Sequence, residues 1–319
     1  MDISLLSTIN KNYWIPFEIL ATSLLRAKQA TTAIEWHVFT DEDDGDWTGW
    51  LARMHARFRS DRGSFILHRL HGLTQAPLPL RGRARPIMYA RLLAPGQLAA
   101  QCRRVLYLDA DMLVLRPIEE LWSVELGPHV CACSPDLAVP TVSSGMAIRD
   151  YRELGLPPAT PYFNAGVLLI DTAGWQAAAV GERALAYLAR HATAVNLFDQ
   201  EALNAVLANG WQRLSYRWNL IASVAGRAFL DVDSAQRDDY ADSVREPGIV
   251  HFAGTLKPWL NPFLRGRWFE LYRAAVRRAL PAHAFEPSLK HLVEASYDAW
   301  VRDWTYLFER AAWQAWRGF

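Results

Sequence analysis

The chain has 319 residues, of which 51% are hydrophobic and 21% are charged, and its formal net charge is +1. This composition is typical of a globular protein with one large α/β domain, and its nearly balanced charge predicts no nucleic-acid partner. Three cysteines cannot all pair with one another, which favours a reducing cytoplasm over a disulfide framework. The sequence shows no N-terminal signal pattern and no apolar run long enough to span a bilayer, so we expect a cytoplasmic protein.

The N-terminal part of the chain alternates between short apolar runs and helical spacing. The runs 1–7, 34–40 and 64–69 are typical of strands, and helices are predicted over 16–25 and 47–59 between them. This βαβαβ order predicts a doubly wound, mainly parallel sheet of the Rossmann-like kind.

A buried strand that ends in two carboxylates follows a loop rich in Pro, Gly and Arg over 73–85 and a helix over 86–93. Val105 to Leu108 is short and apolar, as in the central strand of a parallel sheet, and Asp109 and Asp111 come directly after it. Open α/β sheets bind ligands at the carboxyl ends of their strands, and residues two apart in an extended chain point the same way. The two carboxylates can therefore converge on one hard cation, which would neutralise a phosphate.

A simpler interpretation of the Asp109–Asp111 pair stays open at this point. Asp is frequent at strand ends because it forms turns, and an Asp-x-Asp pattern is common. The apolar context favours the metal, since two carboxylates beside a buried strand repel each other unless a cation or hydrogen bonds compensate.

The remaining elements are predicted from apolar runs and turn residues. We expect a loop over 131–149 that closes over a ligand, strands over 162–171 and 248–252, a long helix over 175–191 and a further helix over 199–208.

Several polar residues interrupt these apolar segments. Asn164 and Gly166 lie in a strand, where a glycine marks a bulge or the close approach of a ligand, although a turn before a core strand explains them better when they are taken alone. Asp199 is an N-cap or a site residue, with Gln200 in the first helical turn. Arg91 is either a surface residue or one that reaches a phosphate, a sugar or an acidic group.

The segment from Val250 to Trp259 carries a more specific pattern. His251 closes an apolar strand, Gly254 permits close backbone approach, and Lys257 supplies a point charge suited to phosphate. A lone His is usually structural, but His, Gly and Lys at this spacing after an Asp-x-Asp are hard to assign to packing.

These segments together resemble the retaining glycosyltransferase family 8, which includes bacterial lipopolysaccharide galactosyl- and glucosyltransferases and glycogenin. The resemblance covers Met1 to about Trp259, and its motifs occur in the family order. They are Tyr89-Ala90-Arg91, Leu106-Tyr107-Leu108-Asp109-Ala110-Asp111, Tyr162-Phe163-Asn164-Ala165-Gly166, Asp199-Gln200 and His251-Phe252-Ala253-Gly254-Thr255-Leu256-Lys257-Pro258-Trp259.

The resemblance implies a GT-A fold, a UDP-hexose donor and a saccharide or glycolipid acceptor, in lipopolysaccharide or another bacterial surface glycan. It implies Mn²⁺ as cofactor, with Mg²⁺ as the alternative, and a carboxylate pair with one imidazole suits Mn²⁺ better. The implied metal ligands are Asp109, Asp111 and His251. The implied donor-binding residues are Thr8, Asn10, Tyr13, Asp109, Ala110, Gly254 and Lys257, and those around the sugar are Arg91, Asn164, Asp199 and Gln200. Asn10 stands where the family often has an Asp, so its amide oxygen would accept the uracil N3–H less strongly.

Retention of configuration requires a nucleophile on the far face of the sugar or attack from the side of the leaving group. Gln200 is a poor nucleophile and Asp199 is also suited to binding hydroxyls, so the sequence favours the second route. Two other functions share some of these features. A metal-dependent nucleotidyl- or phosphotransferase would need a Gly-rich or basic phosphate loop near the N-terminus, which is missing between Leu5 and Tyr13. A non-catalytic sugar-nucleotide-binding protein would not need both His251 and Lys257.

The C-terminal extension has a different composition. We expect a catalytic domain over 1–262 and a helical extension over 263–319, in which Arg residues alternate with Trp, Tyr and Phe. Trp300 and Trp304 share a helical face, as in helices that lie in a membrane interface. We expect weak contact with the inner face of the cytoplasmic membrane; a helical pair that packs on the domain or on a second subunit, as a homo-oligomer, explains the pattern equally well.

Overall fold

The structure is a computed structural model, and it describes residues 1–42, 46–70, 78–80, 85–225, 232, 234–260, 264 and 266–280. Most of the predicted loop over 73–85 and most of the extension over 263–319 lie outside these residues. The chain divides into two compact units, Met1–His251 and Phe252–Phe319, which are described separately. The predicted boundary after residue 262 stays a prediction.

The strands of the first unit are β1 (Asp2–Thr8), β2 (Ala33–Thr40), β3 (Gly63–Arg69), β4 (Arg104–Leu108), β5 (Met112–Val114), β6 (Cys131–Pro135), β7 (Phe163–Asp171), β8 (Gln212–Arg213), β9 (Leu220–Ile221) and β10 (Ile249–His251). The helices are α1 (Trp14–Ala27), α2 (Asp46–Phe58), α3 (Ala90–Gln97), α4 (Glu119–Trp122), α5 (Thr172–Ala177), α6 (Val180–Arg190), α7 (Phe198–Leu207), α8 (Arg237–Arg245) and, in the second unit, α9 (Arg267–Ala279). Short 3₁₀ turns cover Lys11–Tyr13, Arg59–Asp61, Pro86–Tyr89, Tyr216–Trp218 and Ser234–Gln236. None of the described helices is long and apolar enough to cross a membrane.

The main sheet has seven strands in the order β3-β2-β1-β4-β7-β6-β8, and a small sheet has the order β5-β10-β9. Strands β1 to β4 run parallel to one another, whereas β7 is antiparallel to both of its neighbours, β4 and β6. The expected mainly parallel, doubly wound α/β fold is therefore confirmed. The reversal of β7 places its first residues, rather than its last, beside the carboxyl end of β4.

Side chains of β4 alternate between two cores, one on each face of the sheet. Leu106 and Leu108 belong to the core that includes α1 and α2 residues, while Val105 and Tyr107 belong to the core that includes residues of α3, α6 and α7. A strand that is apolar on both faces is thus covered by helices on both sides, as the sequence indicated. Asp109 follows Tyr107 by two residues and so continues the second face.

Two element predictions were wrong. Cys131–Pro135 is not part of a loop but strand β6, buried throughout and paired with both β7 and β8. The long helix over 175–191 is two helices, α5 and α6, which are separated at Ala178 and Ala179. Ala179 has φ +48°, a left-handed conformation that ends helical geometry and is unusual for a residue with a Cβ.

The second unit is described over a loop and one helix. Phe252 packs against Phe269 and Tyr272 of α9, and Trp259 contacts Tyr272. The helix begins after Gly266, which has a φ of +112°. Only glycine adopts this backbone angle at low cost, because it has no Cβ.

Candidate active site

Two carboxylates and an imidazole meet where β4 ends. Asp109 and Asp111 flank the turn between β4 and β5, and His251 is the last residue of β10, whose pairing with β5 sets His251 opposite Met112. The His251 Nε2 atom lies 3.3 Å from Asp111 Oδ1 and 3.7 Å from Asp109 Oδ2. The structure therefore brings together the three residues that were predicted to bind a metal.

The donor set fits a divalent cation. One ligand atom from each of Asp109, Asp111 and His251 lies within 4.8 Å of the other two. Two adjacent ligands that each lie about 2.2 Å from a shared ion are about 3 Å apart, close to the separations seen here. Carboxylate oxygens and an imidazole nitrogen are both ligand types that divalent cations accept in proteins.

Gly166 in β7 makes room for the imidazole. A Cβ at this position would lie 2.7 Å from His251 Nδ1 and 2.9 Å from Met112 Cε, and it would overlap His251 Cε1. The backbone of Gly166 also accepts a hydrogen bond from Asp109 N at 2.9 Å. Both interpretations of this glycine hold. The pairing of β6 with β7 shifts its register across residues 165–167, and the group that approaches Gly166 closely is the His251 ring.

Arg91 in α3 links the metal cluster to α7. Its guanidinium forms ion pairs with Asp109 at 2.8 Å and with Asp199 at 2.7 Å, donates to the Ala165 carbonyl and lies over the Tyr107 ring. Burial alone would lower the pKa of Arg91, but the two carboxylates outweigh it and raise that pKa. Arg91 is thus a largely covered, permanently charged residue with two carboxylate partners, rather than a surface one.

Asp199 lies at the start of α7 and is buried. Burial raises the pKa of Asp199 to about 6, while Arg91 opposes the rise and Asp109 adds to it. Asp109 and Asp199 share the one guanidinium of Arg91, and Asp111 brings a further negative charge to the cluster. A divalent cation would balance this charge.

Tyr107 and Asp136 are site residues that the sequence did not single out. The Tyr107 hydroxyl donates to Asp109 Oδ1 at 2.7 Å, and burial raises the pKa of Tyr107, so the phenol keeps its proton. Asp136 follows β6 and accepts from Asn164 Nδ2 at 2.9 Å and from Gln200 Nε2 at 3.0 Å. Tyr107 lies within the buried strand β4 and Asp136 directly follows the buried strand β6, positions that do not by themselves distinguish a site residue in the sequence.

The two predicted sugar-binding amides are engaged within the protein. Asn164 Oδ1 accepts from Gly166 N at 3.0 Å, and Gln200 Oε1 accepts from Ala165 N at 3.1 Å. With their NH₂ groups on Asp136, both side chains brace the first residues of β7. Contact with the sugar stays a prediction for both.

Asn219, which precedes β9, contacts the imidazole and was also missed. Its Oδ1 atom lies 2.9 Å from His251 Nδ1, and its Nδ2 atom lies 2.9 Å from Asn164 Oδ1. No motif surrounds this residue, so only the structure could reveal it.

The predicted uridine loop begins where β1 ends. Thr8 Oγ1 lies 3.2 Å from the Tyr107 hydroxyl, and Tyr13 N donates to the Asn10 carbonyl at 2.9 Å to close the turn. The Asn10 Oδ1 atom is buried and has no hydrogen-bond partner among the residues that the structure describes. A buried acceptor of this kind is suited to an external N–H donor.

Gly254 and Lys257 belong to the second unit. Gly254 has φ +80°, and a Cβ there would have nothing within 4 Å among the described residues. Lys257 Nζ donates to the Phe252 carbonyl at 2.8 Å and lies over the Trp259 ring. Their contact with a diphosphate stays a prediction.

The fold is similar to that of a glycosyltransferase whose structure has been solved. The galactosyltransferase LgtC, solved in complex with donor and acceptor sugar analogues, superposes with a TM-score of 0.70 at 25% identity, over 89% of this chain and 98% of that one. The expected GT-A fold is thereby confirmed.

The chain belongs to glycosyl transferase family 8, whose sequence model matches residues 4–262. General stress protein A of Bacillus subtilis (strain 168) is 31% identical over 159 residues, which are 49% of this chain and 53% of that protein. Lipopolysaccharide 1,2-glucosyltransferase of Escherichia coli (strain K12) is 28% identical over 54% of this chain and 48% of that protein. The chain thus spans about half the length of these two relatives.

Proposed function

We propose that the protein is a retaining hexosyltransferase that moves a hexose from a UDP-sugar to a saccharide or glycolipid acceptor, with Mn²⁺ as cofactor. The observation that carries the proposal is the meeting of Asp109, Asp111 and His251, with ligand atoms within 4.8 Å, in a chain of family 8. A similarity to lipopolysaccharide 1,2-glucosyltransferase supports a bacterial surface glycan as the product.

In this proposal the donor lies along the edge formed by the ends of β1 and β4 and the start of β7. Asp109, Asp111 and His251 would hold Mn²⁺, which supplies charge neutralisation of the diphosphate when bound. Asn10 Oδ1, which lacks a partner among the described residues, would accept the uracil N3–H. Thr8, Tyr13 and Ala110 would line the nucleoside, and Gly254 and Lys257 would contact the diphosphate.

The side chains near the sugar favour attack from the side of the leaving group. Asp199 is paired with Arg91 at 2.7 Å, which removes much of the nucleophilicity of its carboxylate. Gln200 is held between Ala165 N and Asp136 and is a poor nucleophile in any case. With neither residue suited to a covalent intermediate, a UDP oxygen would take the acceptor proton as the glycosidic bond to UDP breaks.

A donor screen tests the activity. We expect Mn²⁺-dependent hydrolysis or transfer from one of UDP-Gal, UDP-Glc, UDP-GlcNAc and UDP-GalNAc, with UDP and free or transferred hexose as products. Release of UMP would instead indicate a nucleotidyl- or phosphotransferase, and binding without turnover of any donor would indicate a sugar-nucleotide-binding protein.

The metal ligands are tested by Asp111→Asn. The variant should lose transfer and Mn²⁺-dependent UDP binding without unfolding, because the substitution keeps the shape and removes a charged ligand. Asp150→Asn is the matched control, since Asp150 contacts His191 in another part of the first unit. Undiminished transfer by Asp111→Asn would overturn the metal assignment.

A glycolipid acceptor would require the protein to work at the inner face of the cytoplasmic membrane. Docking through the Arg- and Trp-rich extension, which lies mostly outside the described residues, would confine enzyme and glycolipid to one surface. Full-length protein should sediment with anionic vesicles at low salt, and truncation after Pro262 should abolish sedimentation while sparing transfer to a soluble acceptor. A full-length protein that stays in the supernatant would favour the alternative, in which the extension packs on the domain or on a second subunit.

A further inference from the structure

We propose that Asn219 is a positioning residue for the metal ligand His251, and that Asp136 fixes the direction of the hydrogen-bond chain that ends there. The chain runs from Asp136 through Asn164 and Asn219 to His251. It holds the imidazole with the proton on Nδ1, so that the Nε2 lone pair faces Asp109 and Asp111. The inference rests on the metal site of the proposed function.

The direction of the chain is fixed at its start by groups with only one hydrogen-bonding role. The Asp136 carboxylate can only accept, and its Oδ1 atom is occupied by the backbone N–H groups of Ala138 and Val139 at 2.8 and 3.1 Å. Its Oδ2 atom therefore meets the NH₂ group of Asn164 at 2.9 Å. The backbone N–H of Gly166, which can only donate, meets the other end of the Asn164 amide at 3.0 Å. Both contacts require the same orientation of Asn164.

The orientation of Asn219 follows from that of Asn164. The Asn164 Oδ1 atom and the Asn164 carbonyl both face the Asn219 amide nitrogen, at 2.9 and 3.5 Å, and both can only accept. Asn219 must therefore turn its NH₂ group toward Asn164 and its oxygen toward the imidazole. Since that oxygen lies 2.9 Å from His251 Nδ1, the imidazole nitrogen there must carry a proton.

The remaining imidazole nitrogen is then the ligand atom. Nε2 lies 3.3 Å from Asp111 Oδ1, on the side of the ring where the carboxylates converge. A histidine that binds a metal through one nitrogen and donates from the other to a polar group is the usual arrangement in metalloproteins, and the second group commonly sets metal affinity.

Burial strengthens the directional preference of this chain of hydrogen bonds. Asp136, Asn164, Asn219 and His251 are 4%, 6%, 1% and 3% exposed, so water has little access to replace any of the contacts. In such surroundings a reversed amide would set two like groups against each other at a high cost in free energy. The chain therefore has one favourable direction.

Two variants test the inference without a large change of volume. Asn219→Leu removes the acceptor for His251 Nδ1. In Asp136→Asn, the new amide oxygen would accept from the Ala138 and Val139 N–H groups. The new NH₂ group would then face the NH₂ group of Asn164, so that two donors meet. The exchange variant Asp136→Asn with Asn164→Asp restores a donor–acceptor contact, and with it the direction of the chain toward Asn219.

The matched control is Asn204→Leu. Asn204 is 1% exposed and also braces β7, because its side chain forms hydrogen bonds with the backbone of Phe163. It does not contact the imidazole. Asn204→Leu should lower the stability of the protein as Asn219→Leu does, but it should leave the Mn²⁺ affinity unchanged.

The readouts are Mn²⁺ titration followed by the EPR signal of free Mn²⁺, and the proton on His251 Nδ1 in ¹⁵N-edited NMR of the Mg²⁺-loaded protein. We expect Asn219→Leu and Asp136→Asn to weaken Mn²⁺ binding by about tenfold or more, the exchange variant to recover part of this, and Asn204→Leu to bind as wild type. The low-field, slowly exchanging Nδ1 proton should be present in wild type and absent in Asn219→Leu.

The outcomes separate this inference from the proposed function. Failure of the wild-type protein to bind Mn²⁺ would overturn the metal site and the inference together. Wild-type affinity and an unchanged Nδ1 proton in Asn219→Leu, or equal weakening by Asn204→Leu, would overturn the inference alone. If Asn219→Leu does not fold, Asp136→Asn and its exchange variant decide the question by the same titration.

Discussion

Replacement of Gly166 by alanine should displace the His251 ring. The new Cβ would lie 2.7 Å from His251 Nδ1, whereas carbon contacts are most favourable near 3.5 Å. The two atoms must therefore move apart by about 0.8 Å. The ring is held by its 2.9 Å hydrogen bond to Asn219, which a shift of that size would lengthen beyond hydrogen-bonding distance. The Gly166 backbone is held toward β4 by the hydrogen bond that its carbonyl accepts from Asp109 N at 2.9 Å, and a strand backbone yields less than a side chain does.

The magnitude follows from two costs. Overpacking in a filled site costs about 1–3 kcal/mol of stability, and a buried hydrogen bond that loses its partner costs a similar amount. Displacement of a metal ligand should weaken Mn²⁺ binding by about ten- to a hundredfold. Urea unfolding measures the first effect, and Mn²⁺ titration by EPR measures the second.

Two other glycines provide the controls. A Cβ on Gly181 would press on the Leu92 carbonyl, with its carbon at 3.0 Å, so Gly181→Ala should lose stability and keep its metal affinity. A Cβ on Gly145 would have nothing within 4 Å among the described residues, so Gly145→Ala should change neither property. Wild-type Mn²⁺ affinity in Gly166→Ala would refute the reasoning, as would an equal loss of affinity in Gly181→Ala.

Three further predictions follow from single residues. Arg91→Met removes the guanidinium from the buried Asp199 and the partly buried Asp109 and should cost about 3 kcal/mol in urea unfolding at pH 7; a loss below about 1 kcal/mol would show that the ion pairs contribute little. Burial and then His37 lower the pKa of His68 to about 4, so the unfolded chain takes up a proton below about pH 6.5 before the folded one does, and stability falls as pH drops from 6.5 to 4. His68→Phe should flatten this fall in unfolding curves at pH 7.5, 6 and 5, and parallel curves would contradict the assignment. Asn10→Asp should tighten UDP binding severalfold in calorimetry because a carboxylate accepts the uracil N–H more strongly, and unchanged affinity would remove Asn10 from the nucleoside site.

Local patterns were sufficient for much of the fold. The strands β1 to β4 and the Asp109–Asp111 pair follow from apolar runs that end in polar residues, and such signals depend only on neighbours in sequence. The direction of β7 could not be predicted, since an apolar strand has the same pattern in either direction. The break at Ala179 was hidden for a related reason, because a left-handed residue other than glycine leaves no mark in the composition.

The site was predictable only in part. Asp109, Asp111 and His251 were recognised from their motifs, and the structure brings them together. Asp136 and Asn219 were missed because they act on other side chains through contacts between residues far apart in the chain. Such contacts depend on the pairing of strands, which no short stretch of sequence specifies.

The pairing of β5 with β10 also sets the order in which the metal site can assemble. Met112 faces His251 in this pair, although most of the first unit lies between them in sequence. During synthesis both carboxylates emerge long before the imidazole, and a long loop must close before the proposed ligand set is complete. A nascent chain that stops short of β10 therefore has only the weak cation affinity of two carboxylates. In the proposed function, binding of the cation would therefore stabilise only the finished chain, by about 2.7 kcal/mol at a concentration one hundred times Kd.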